Sequence, residues 1–359
     1  MNCQQHRSRG FTIVEMMVAV AVTSIMMVGV IQLFSSNKQA YRIQEGASVM
    51  NENARYALNL MQYDLRLADH WGGIEPADVA VDTTSGAIAF TNDCAEAPIL
   101  PADPNAGVVG FEGFEGVNAN SPLSCIANAD YEAQTDILVI RYAGPRRAKD
   151  DENTEPARVN NIRSDSGLFL RAAVGRRAIV YEGVDVDDVP ADLATPTAAA
   201  PQFADYPFNT IIYFVRPCAS PSITAPADQC NAGDDDTPTL ARLVLQDRTL
   251  VQEEVVSGVE QFQVTYGVDR NGDLVADQYE GAADIRAAAG YGWADVVDIR
   301  ISLVMRNMEL DTTANTGGSD ADHTHNLVGG FNYVVPTDER LFRRKVYNFV
   351  VQVRNQTRA

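Results

Sequence analysis

The sequence predicts an α+β fold in which a long N-terminal helix packs on a largely antiparallel β-sheet head. Residues 16–37 form an unbroken run without a charged side chain, and from residue 50 onward apolar side chains recur every three or four positions. Beyond Gly73 the pattern changes to short runs of β-branched and aromatic residues separated by turn-forming residues. The helix therefore comes first, and the sheet is built from the rest of the chain.

The first half of the helix has the length of a membrane span. At about 1.5 Å per residue, its 22 uncharged residues are long enough to cross a hydrocarbon core of about 30 Å. A secretory signal peptide has a shorter apolar stretch and a small-residue cleavage site, and this segment has neither. A plain membrane anchor does not explain Glu15, because a carboxylate inside a bilayer costs about 2.5 to 3.5 kcal/mol and needs a partner.

The second half of the helix is amphipathic and needs a surface on which to bury one face. Its apolar stripe consists of Met50, Ala54, Ala57, Leu58, Met61, Leu65 and Ala68. We expect one helix from about residue 12 to residue 68, softened near Gly29, residues 35–36 or Gly46, and ended by residues 71–73, which read WGG. Its length would be roughly 85 Å.

The rest of the chain predicts strands joined by long loops. The strand candidates are residues 87–90, 137–142, 178–182, 210–216, 241–245, 259–266, 296–305 and 346–353. The loop candidates, rich in Asp, Pro, Gly, Ser and Thr, are residues 185–206, 219–239 and 311–326. The sheet formed by these strands is expected to be antiparallel.

Composition and missing motifs exclude several classes of function. The chain carries 28 basic and 48 acidic side chains, a net charge of −20, which argues against binding to nucleic acids. It has no G-x-S-x-G elbow, no phosphate-binding glycine loop and no H-E-x-x-H sequence. We therefore do not expect an enzyme.

The residues before the apolar run carry a processing signal. Residues 10–15 read GFTIVE, and the apolar run follows immediately. They resemble the type IV prepilin motif, in which prepilin peptidase cuts after the glycine and methylates the new N-terminal amine. This resemblance implies cleavage after Gly10, methylation of Phe11, and a docking role for Glu15, the fifth residue of the processed chain. In that family the glutamate pairs with the N-terminal amine of a neighbouring subunit, which supplies the cation that a buried carboxylate requires.

Four groups of residues further along the chain resemble the PilW family of type IV pilus minor pilins. They are residues 51–58 with 64–66 and 71–72; residues 259–262 leading to 266–269; Trp293 with 296–297 and 300–303; and residues 343–347. The resemblance implies a pilin-like fold and a minor pilin that helps to initiate type IV pilus assembly at or near the pilus tip. The division of the chain would be a cleaved leader at 1–10, a membrane and filament-core helix at 11–34, an amphipathic half-helix at 35–72 and an extracytoplasmic head at 73–359.

The same resemblance implies the partners and the location. The partners would be other minor pilins, the major pilin, prepilin peptidase and the inner-membrane assembly platform, with a tip adhesin as a further candidate and no nucleic acid. The chain would cross the bacterial inner membrane once, with its head in the periplasm, and would then become part of the pilus, or fimbrium, at the cell surface. Two alternatives stay open: a J-type pseudopilin of type II secretion, and a calcium-dependent adhesive head on a pilin stem.

The cysteines favour disulfides in an extracytoplasmic head. Cys94, Cys125, Cys218 and Cys230 remain once the leader is removed, an even number with no C-x2-C pair that would suggest zinc. Three pairings are possible, and closure of the shorter loops favours Cys94 with Cys125 and Cys218 with Cys230. The second bridge would restrain residues 219–229 and stabilise the fold by about 3 kcal/mol.

One segment has the ligand spacing of a calcium loop. Asp269, Asn271, Asp273, Asp277 and Glu280 occupy positions 1, 3, 5, 9 and 12 of an EF-hand-type loop. Four carboxylates within twelve residues repel each other unless a cation is bound. These five residues are therefore a candidate calcium site, and Ca²⁺ is the one cofactor that the sequence suggests.

The same segment has a second interpretation. Leu274 stands where the EF-hand loop requires glycine, and the preceding strand candidate suggests a β-hairpin that turns at Asn271 and Gly272. Aspartates beside such a turn can accept hydrogen bonds from backbone amides and face water. Both interpretations remain open from the sequence.

Overall fold

A computed structural model describes residues 12–81, 109–149, 155–173, 176–190, 193, 203–221, 229–231, 233–311 and 317–353. The chain divides into two compact units between Val49 and Met50, and each is described by itself. The predicted leader, the predicted strand at 87–90, Phe11 and Cys94 lie outside the described residues.

Helix α1, Ile13–Leu67, confirms the predicted long helix, and it is continuous through Gly29, residues 35–36 and Gly46. In the first unit its apolar side chains are exposed from Ile13 to Phe34. The hydroxyls of Thr23 and Ser24 donate to the carbonyls of Ala19 and Val20, at 2.7 and 2.8 Å. These two polar groups are thus satisfied within the helix itself, as an apolar environment requires.

The second unit starts with the last turns of α1. The helix buries Met50, Ala54, Ala57, Met61 and Leu65, which is the stripe that the spacing predicts. The chain then leaves the helix through three residues with positive φ: Asp69 at 63°, Gly72 at 64° and Gly73 at 88°. Only glycine adopts this conformation without strain, so the two glycines end the helix as expected.

After the last turns of α1, the described part of the second unit contains fourteen strands and two short α-helices. The strands are β1 (Val79–Val81), β2 (Phe111–Phe114), β3 (Ile137–Ala143), β4 (Leu168–Ala173), β5 (Arg177–Glu182), β6 (Phe203–Arg216), β7 (Thr239–Gln246), β8 (Thr249–Ser257), β9 (Val259–Val268), β10 (Gln278–Glu280), β11 (Val296–Leu310), β12 (Thr324–Asn326), β13 (Asn332–Val334) and β14 (Phe342–Gln352). The helices are α2 (Glu155–Arg163) and α3 (Ala282–Ala287).

These strands form two large sheets and a hairpin. The larger sheet has the order β1-β5-β4-β6-β3-β2, and β7 and β8 extend it from β6. The second sheet has the order β10-β9-β11-β14, and β12 pairs with β13. Every pair is antiparallel except β1 with β5. The prediction of a largely antiparallel head is confirmed, although it comprises more than one sheet.

Asp136 joins the two large sheets where β3 begins. Its backbone N–H donates to the carbonyl of Phe262 at 2.8 Å, and its carboxylate accepts from the backbone N–H groups of Val264 and Gly116 at 2.8 and 3.1 Å. Since Phe262 and Val264 belong to β9, these bonds tie the first sheet to the second. One buried aspartate therefore fixes the relation between the two sheets.

Seven of the eight predicted strands lie within the described residues, and all seven match observed strands. Among these seven, the largest shift of a boundary is in β6, which begins at Phe203, inside the predicted loop 185–206, whereas β4 and β8 have no predicted counterpart. The polar residue that made this stretch look like a loop is Asp205, which is fully buried because it pairs with Arg171 of β4 at 2.7 Å. A charged residue that indicates a loop in the sequence thus lies in a strand, where it has a buried partner of opposite charge.

Candidate functional site

The predicted docking residue, Glu15, lies in the first turn of α1. Its carboxylate accepts hydrogen bonds from the backbone N–H and the hydroxyl of Thr12, both at 3.0 Å, and its own N–H donates to the Thr12 hydroxyl at 3.2 Å. This reciprocal arrangement is a capping box, and T-x-x-E at 12–15 is its sequence signature. The carboxylate is exposed at the positive end of the helix dipole.

This geometry leaves Glu15 able to meet a cation from another molecule. Within the described residues its carboxylate contacts Thr12 alone, so its remaining lone pairs face outward. One helix in the described part of the chain, α1, is long and apolar enough to cross a membrane. The docking role, the cleavage after Gly10 and the methylation of Phe11 stay predictions.

A buried carboxylate, Asp64, fixes the amphipathic half of α1 to the larger sheet. It is 2% exposed and accepts hydrogen bonds from the hydroxyls of Tyr213 and, at 3.5 Å, Tyr142. The guanidinium of Arg242 lies 3.7 Å from the Asp64 oxygen that accepts from Tyr213. Burial raises the pKa of Asp64, while Tyr213, Arg242 and Tyr142 oppose this shift. The strands β3, β6 and β7 therefore each hold the helix through one polar side chain.

A second buried ion pair connects two of the stretches that carry the family resemblance. Glu260 of β9 and Arg344 of β14 are 4% and 3% exposed, and two guanidinium nitrogens of Arg344 contact the two carboxylate oxygens. Burial alone would raise the pKa of Glu260, but the hydrogen bonds from Arg344 keep it below its ordinary value. Asn51 of α1 lies close to the same strand and accepts from Lys345 and Tyr347 at 2.9 and 2.6 Å.

Three segments that are far apart in the sequence thus meet in space. Residues 51–58, 259–262 and 343–347 converge where α1, β9 and β14 pack, and a buried ion pair and two side-chain hydrogen bonds hold them. The basic residues near the C-terminus carry no local signal of burial in the sequence. Their pairing with Glu260 could not be read from spacing, because 84 residues separate the partners.

The disulfide between Cys218 and Cys230 is formed as predicted, with Cα atoms 5.7 Å apart. The backbone N–H of Cys230 donates to the carboxylate of Asp130 at 2.7 Å, which fixes the bridge against the segment before β3. Cys125 is also disulfide-bonded. Its predicted partner, Cys94, lies outside the described residues, so that pairing stays a prediction.

The predicted calcium loop connects β9 to β10 as a hairpin, but its turn spans residues 269–277 instead of two residues. Asp269 accepts from the backbone N–H groups of Asn271, Gly272 and Leu274 at 3.0, 2.7 and 2.7 Å. Leu274 has a φ of 66°, the conformation for which the EF-hand loop uses glycine. The backbone here meets the geometric requirement even though the residue is not glycine.

The side chains of this loop are occupied by contacts within the protein. Asp277 accepts from the N–H of Arg270 at 2.8 Å and from the amide of Asn271 at 3.1 Å, and Glu280 pairs with Arg270. In the part of the chain that the structure describes, no three His, Cys, Asp or Glu side chains form a group that could hold a metal. Calcium binding by Asp273 and its neighbours stays a prediction, and the hydrogen bonds that Asp269 accepts from backbone N–H groups fit the capped-turn interpretation.

Comparison with known families adds two matches at the two ends of the chain. Residues 5–31 match the prokaryotic N-terminal methylation motif, and residues 225–355 match the family of type IV pilus-assembly protein W. No curated protein and no solved structure matches the chain. The second match covers two of the three segments that converge around Glu260 and Arg344.

The matches also indicate the class of protein and its location. Together they indicate a structural component of the pilus that interacts with other pilus and assembly components. The methylation motif and the apolar helix fit a pilin that crosses the inner membrane once and later lies in the pilus at the cell surface. The motif at one end, the helix that follows it and the matched region at the other end together make this chain similar to the type IV minor pilins of the PilW family.

Proposed function

We propose that this minor pilin takes part in initiating type IV pilus assembly and lies at or near the pilus tip, in contact with other minor pilins. The observation that carries the proposal is the combination of a long apolar helix at the methylation motif, whose carboxylate Glu15 is exposed, with a large head that matches the PilW family at residues 225–355. A helix with exposed apolar side chains and an exposed carboxylate is suited to lateral packing against other pilins in the membrane. The head then offers a broad surface for neighbouring subunits.

Glu15 would steer this packing. A carboxylate in a bilayer is stable when a cation neutralises it, and the methylated amine at the N-terminus of a neighbouring subunit supplies one. Prepilin peptidase would expose that amine by cutting after Gly10. The assembly platform and the major pilin would then act on the complex of minor pilins.

The experiment is complementation of a deletion strain with three forms of the gene, followed by shearing of surface filaments. We expect the wild type and Glu45→Ala to restore piliation, because Glu45 is an exposed residue of the same helix outside its apolar first part. Glu15→Ala should not restore it, although the protein should still accumulate in the inner membrane.

Analysis of the sheared material tests the remaining parts of the proposal. The intact mass should show the loss of residues 1–10, one added methyl group and the mass deficit of the disulfides, and labelled antibodies should mark filament ends. Only unprocessed chain in the membranes of piliated cells would contradict processing. Label along the whole shaft would contradict the tip position.

Two other functions make different predictions. A J-type pseudopilin predicts that deletion abolishes secretion of folded proteins and leaves piliation intact. An adhesive head that depends on calcium predicts ligand binding that is lost in a chelator, and a rise of the unfolding temperature when Ca²⁺ is added. Asp273→Asn would remove that rise if the loop binds the ion.

A further inference from the structure

A cavity of about 850 Å³ opens where the ends of the two large sheets meet the β12–β13 hairpin. It is called the Glu132 cavity here, after the residue that precedes β3 at its wall. Its charged wall residues are Glu132, Asp236, Glu260, Arg306, Asp338 and Glu339. Five carboxylates and one guanidinium therefore face a space large enough for several side chains.

Part of this negative charge is neutralised inside the wall. Arg344 pairs with Glu260 and lies 3.0 Å from a carboxylate oxygen of Glu339. Arg306, whose side chain is 5% exposed, lies 3.3 Å from Glu339 and 3.8 Å from Glu260. Two guanidinium groups thus balance two carboxylates, and this group of four is neutral as a whole.

Three carboxylates of the wall have no such partner. Glu132, Asp236 and Asp338 form no ion pair with any residue that the structure describes. Glu132 is held in place by its backbone, since its N–H donates to the carbonyl of Val215 at 2.8 Å and its carbonyl accepts from the hydroxyl of Thr135 at 2.7 Å. The backbone of Glu132 is therefore fixed at the cavity wall by a turn.

The electrostatics of Glu132 are set by its burial and by the carboxylates around it. Burial first, and then the charges of Glu339 and Glu260, raise the pKa of Glu132 to about 7, while Arg306 opposes the shift. The pKa of Glu339 is likewise raised to about 7 by burial and by Glu260, against Arg306 and Arg344. A positive charge placed beside Glu132 would be stabilised by this field.

The uncharged part of the wall includes Met308, Val334, Pro336 and Phe342, which suit the methylene stem of a long basic side chain. A basic side chain matches both parts of the wall: its cation suits the carboxylates, and its stem suits the apolar residues.

We propose that the Glu132 cavity binds a basic side chain, arginine or lysine, presented by a partner protein. The guanidinium or ammonium group would lie beside Glu132, Asp236 and Asp338, with its stem on the apolar wall. That the partner is another pilus subunit rests on the proposed function, whereas recognition of a basic side chain does not. The acidic cavity thus gives this head one defined point of attachment for a basic partner.

The test measures binding of N-acetyl-arginine amide to the full chain in uncharged detergent, by ligand-observed NMR. N-acetyl-citrulline amide, which has the same shape without the charge, is the control ligand. We expect saturable binding of the arginine amide at about pH 8, and much weaker binding at about pH 5.5, where Glu132 and Glu339 are protonated. The citrulline amide should not compete.

Two variants locate the site. Glu132→Gln should weaken binding by about fivefold or more, because one of three unpaired charges is lost. Glu75→Gln removes the same charge from an exposed position outside the cavity and should leave binding unchanged. Unfolding temperatures of both variants within the range of the wild type would show that the head is intact.

The outcomes separate this proposal from the proposed function. Equal binding of the two amides, no saturable binding at about pH 8, or equal affinities of Glu132→Gln and the wild type would overturn the cavity assignment. Loss of piliation with Glu15→Ala would still support the minor-pilin role in that case. Conversely, arginine binding that depends on Glu132 would stand even if filaments formed normally without the protein.

Discussion

At the scale of single residues, the head depends on charges that are buried and paired. Removing a charged side chain from a buried pair leaves its partner uncompensated in a medium of low dielectric constant, which costs several kcal/mol. Glu260 with Arg344 and Arg171 with Asp205 are such pairs, and all four side chains are at most 4% exposed. Asp205 lies in a segment for which the sequence predicts a loop, and Arg344 pairs with a residue 84 positions away.

Arg344→Gln should therefore destabilise the head strongly. The substitution leaves Glu260 buried without its main partner, and we expect a loss of about 3 to 5 kcal/mol in the free energy of unfolding. Lys345→Gln is the matched control: it removes one positive charge from the exposed neighbour on the same strand and should cost about 0 to 1 kcal/mol. Urea unfolding of the full chain in uncharged detergent, followed by near-UV circular dichroism, measures both. Similar midpoints for the two variants would show that the buried pair contributes little.

At the scale of elements, α1 combines an exposed apolar part and a part with one buried face in a single helix. Its first part has no buried residues and carries apolar side chains all round, whereas its last turns bury one stripe against the sheets. Asp64 stands within that buried stripe, so it interrupts the apolar pattern at a position where a hydrophobic residue would be expected. The hydroxyls of Tyr213 and Tyr142 make the exception possible and set the rotation of the helix on the sheet.

Asp64→Ala should loosen the helix from the sheet. The two tyrosine hydroxyls would lose their acceptor in a buried position, and we expect a loss of about 1 to 3 kcal/mol. Glu52→Ala, at an exposed position of the same helix, is the control and should change stability by less than about 0.5 kcal/mol. Hydrogen exchange of the amides between residues 50 and 67 measures the effect locally. Unchanged protection there in Asp64→Ala would mean that apolar packing alone fixes the helix.

At the scale of the whole molecule, buried carboxyls link the stability of the head to pH. Burial raises the pKa of Glu132, Asp136 and Glu339 to about 7, well above their values in an unfolded chain. At a pH between the pKa of these carboxyls in the unfolded chain and their pKa of about 7 in the folded head, the folded head binds more protons than the unfolded chain does. Stability therefore falls as the pH rises through about 7. Burial lowers the pKa of His325, so at a pH below the ordinary pKa of histidine this residue makes the stability rise with pH. It is one group that opposes three.

We accordingly expect the unfolding temperature of the full chain to be higher at about pH 5.5 than at about pH 8. Carboxyls whose pKa is lowered, such as those of Glu260 and Asp235, remain ionised throughout this range and do not contribute. Glu132→Gln should reduce the dependence, because its side chain is neutral at both values, and Glu75→Gln should not. An unfolding temperature that rises from about pH 5.5 to about pH 8 would contradict the assignment of these groups.

The sequence by itself determined what depends on neighbouring residues. The uncharged run, the three-and-four spacing before Leu65 and the glycines at 72 and 73 specified the helix and its end, since helical hydrogen bonds and side-chain faces repeat within a few residues. The same holds for the alternating strands, for the processing motif, and for the bridge between Cys218 and Cys230, which closes a short loop.

Only the tertiary structure decided which distant residues meet. The start of β6 at Phe203, the pairing of Glu260 with Arg344 and the three unpaired carboxylates of the Glu132 cavity all involve segments far apart in the chain. Local sequence pattern gives the period of an element but does not show which charged side chain of another segment will lie opposite it. Burial and pairing are properties of the assembled sheets, and they exist only once the strands have been placed side by side.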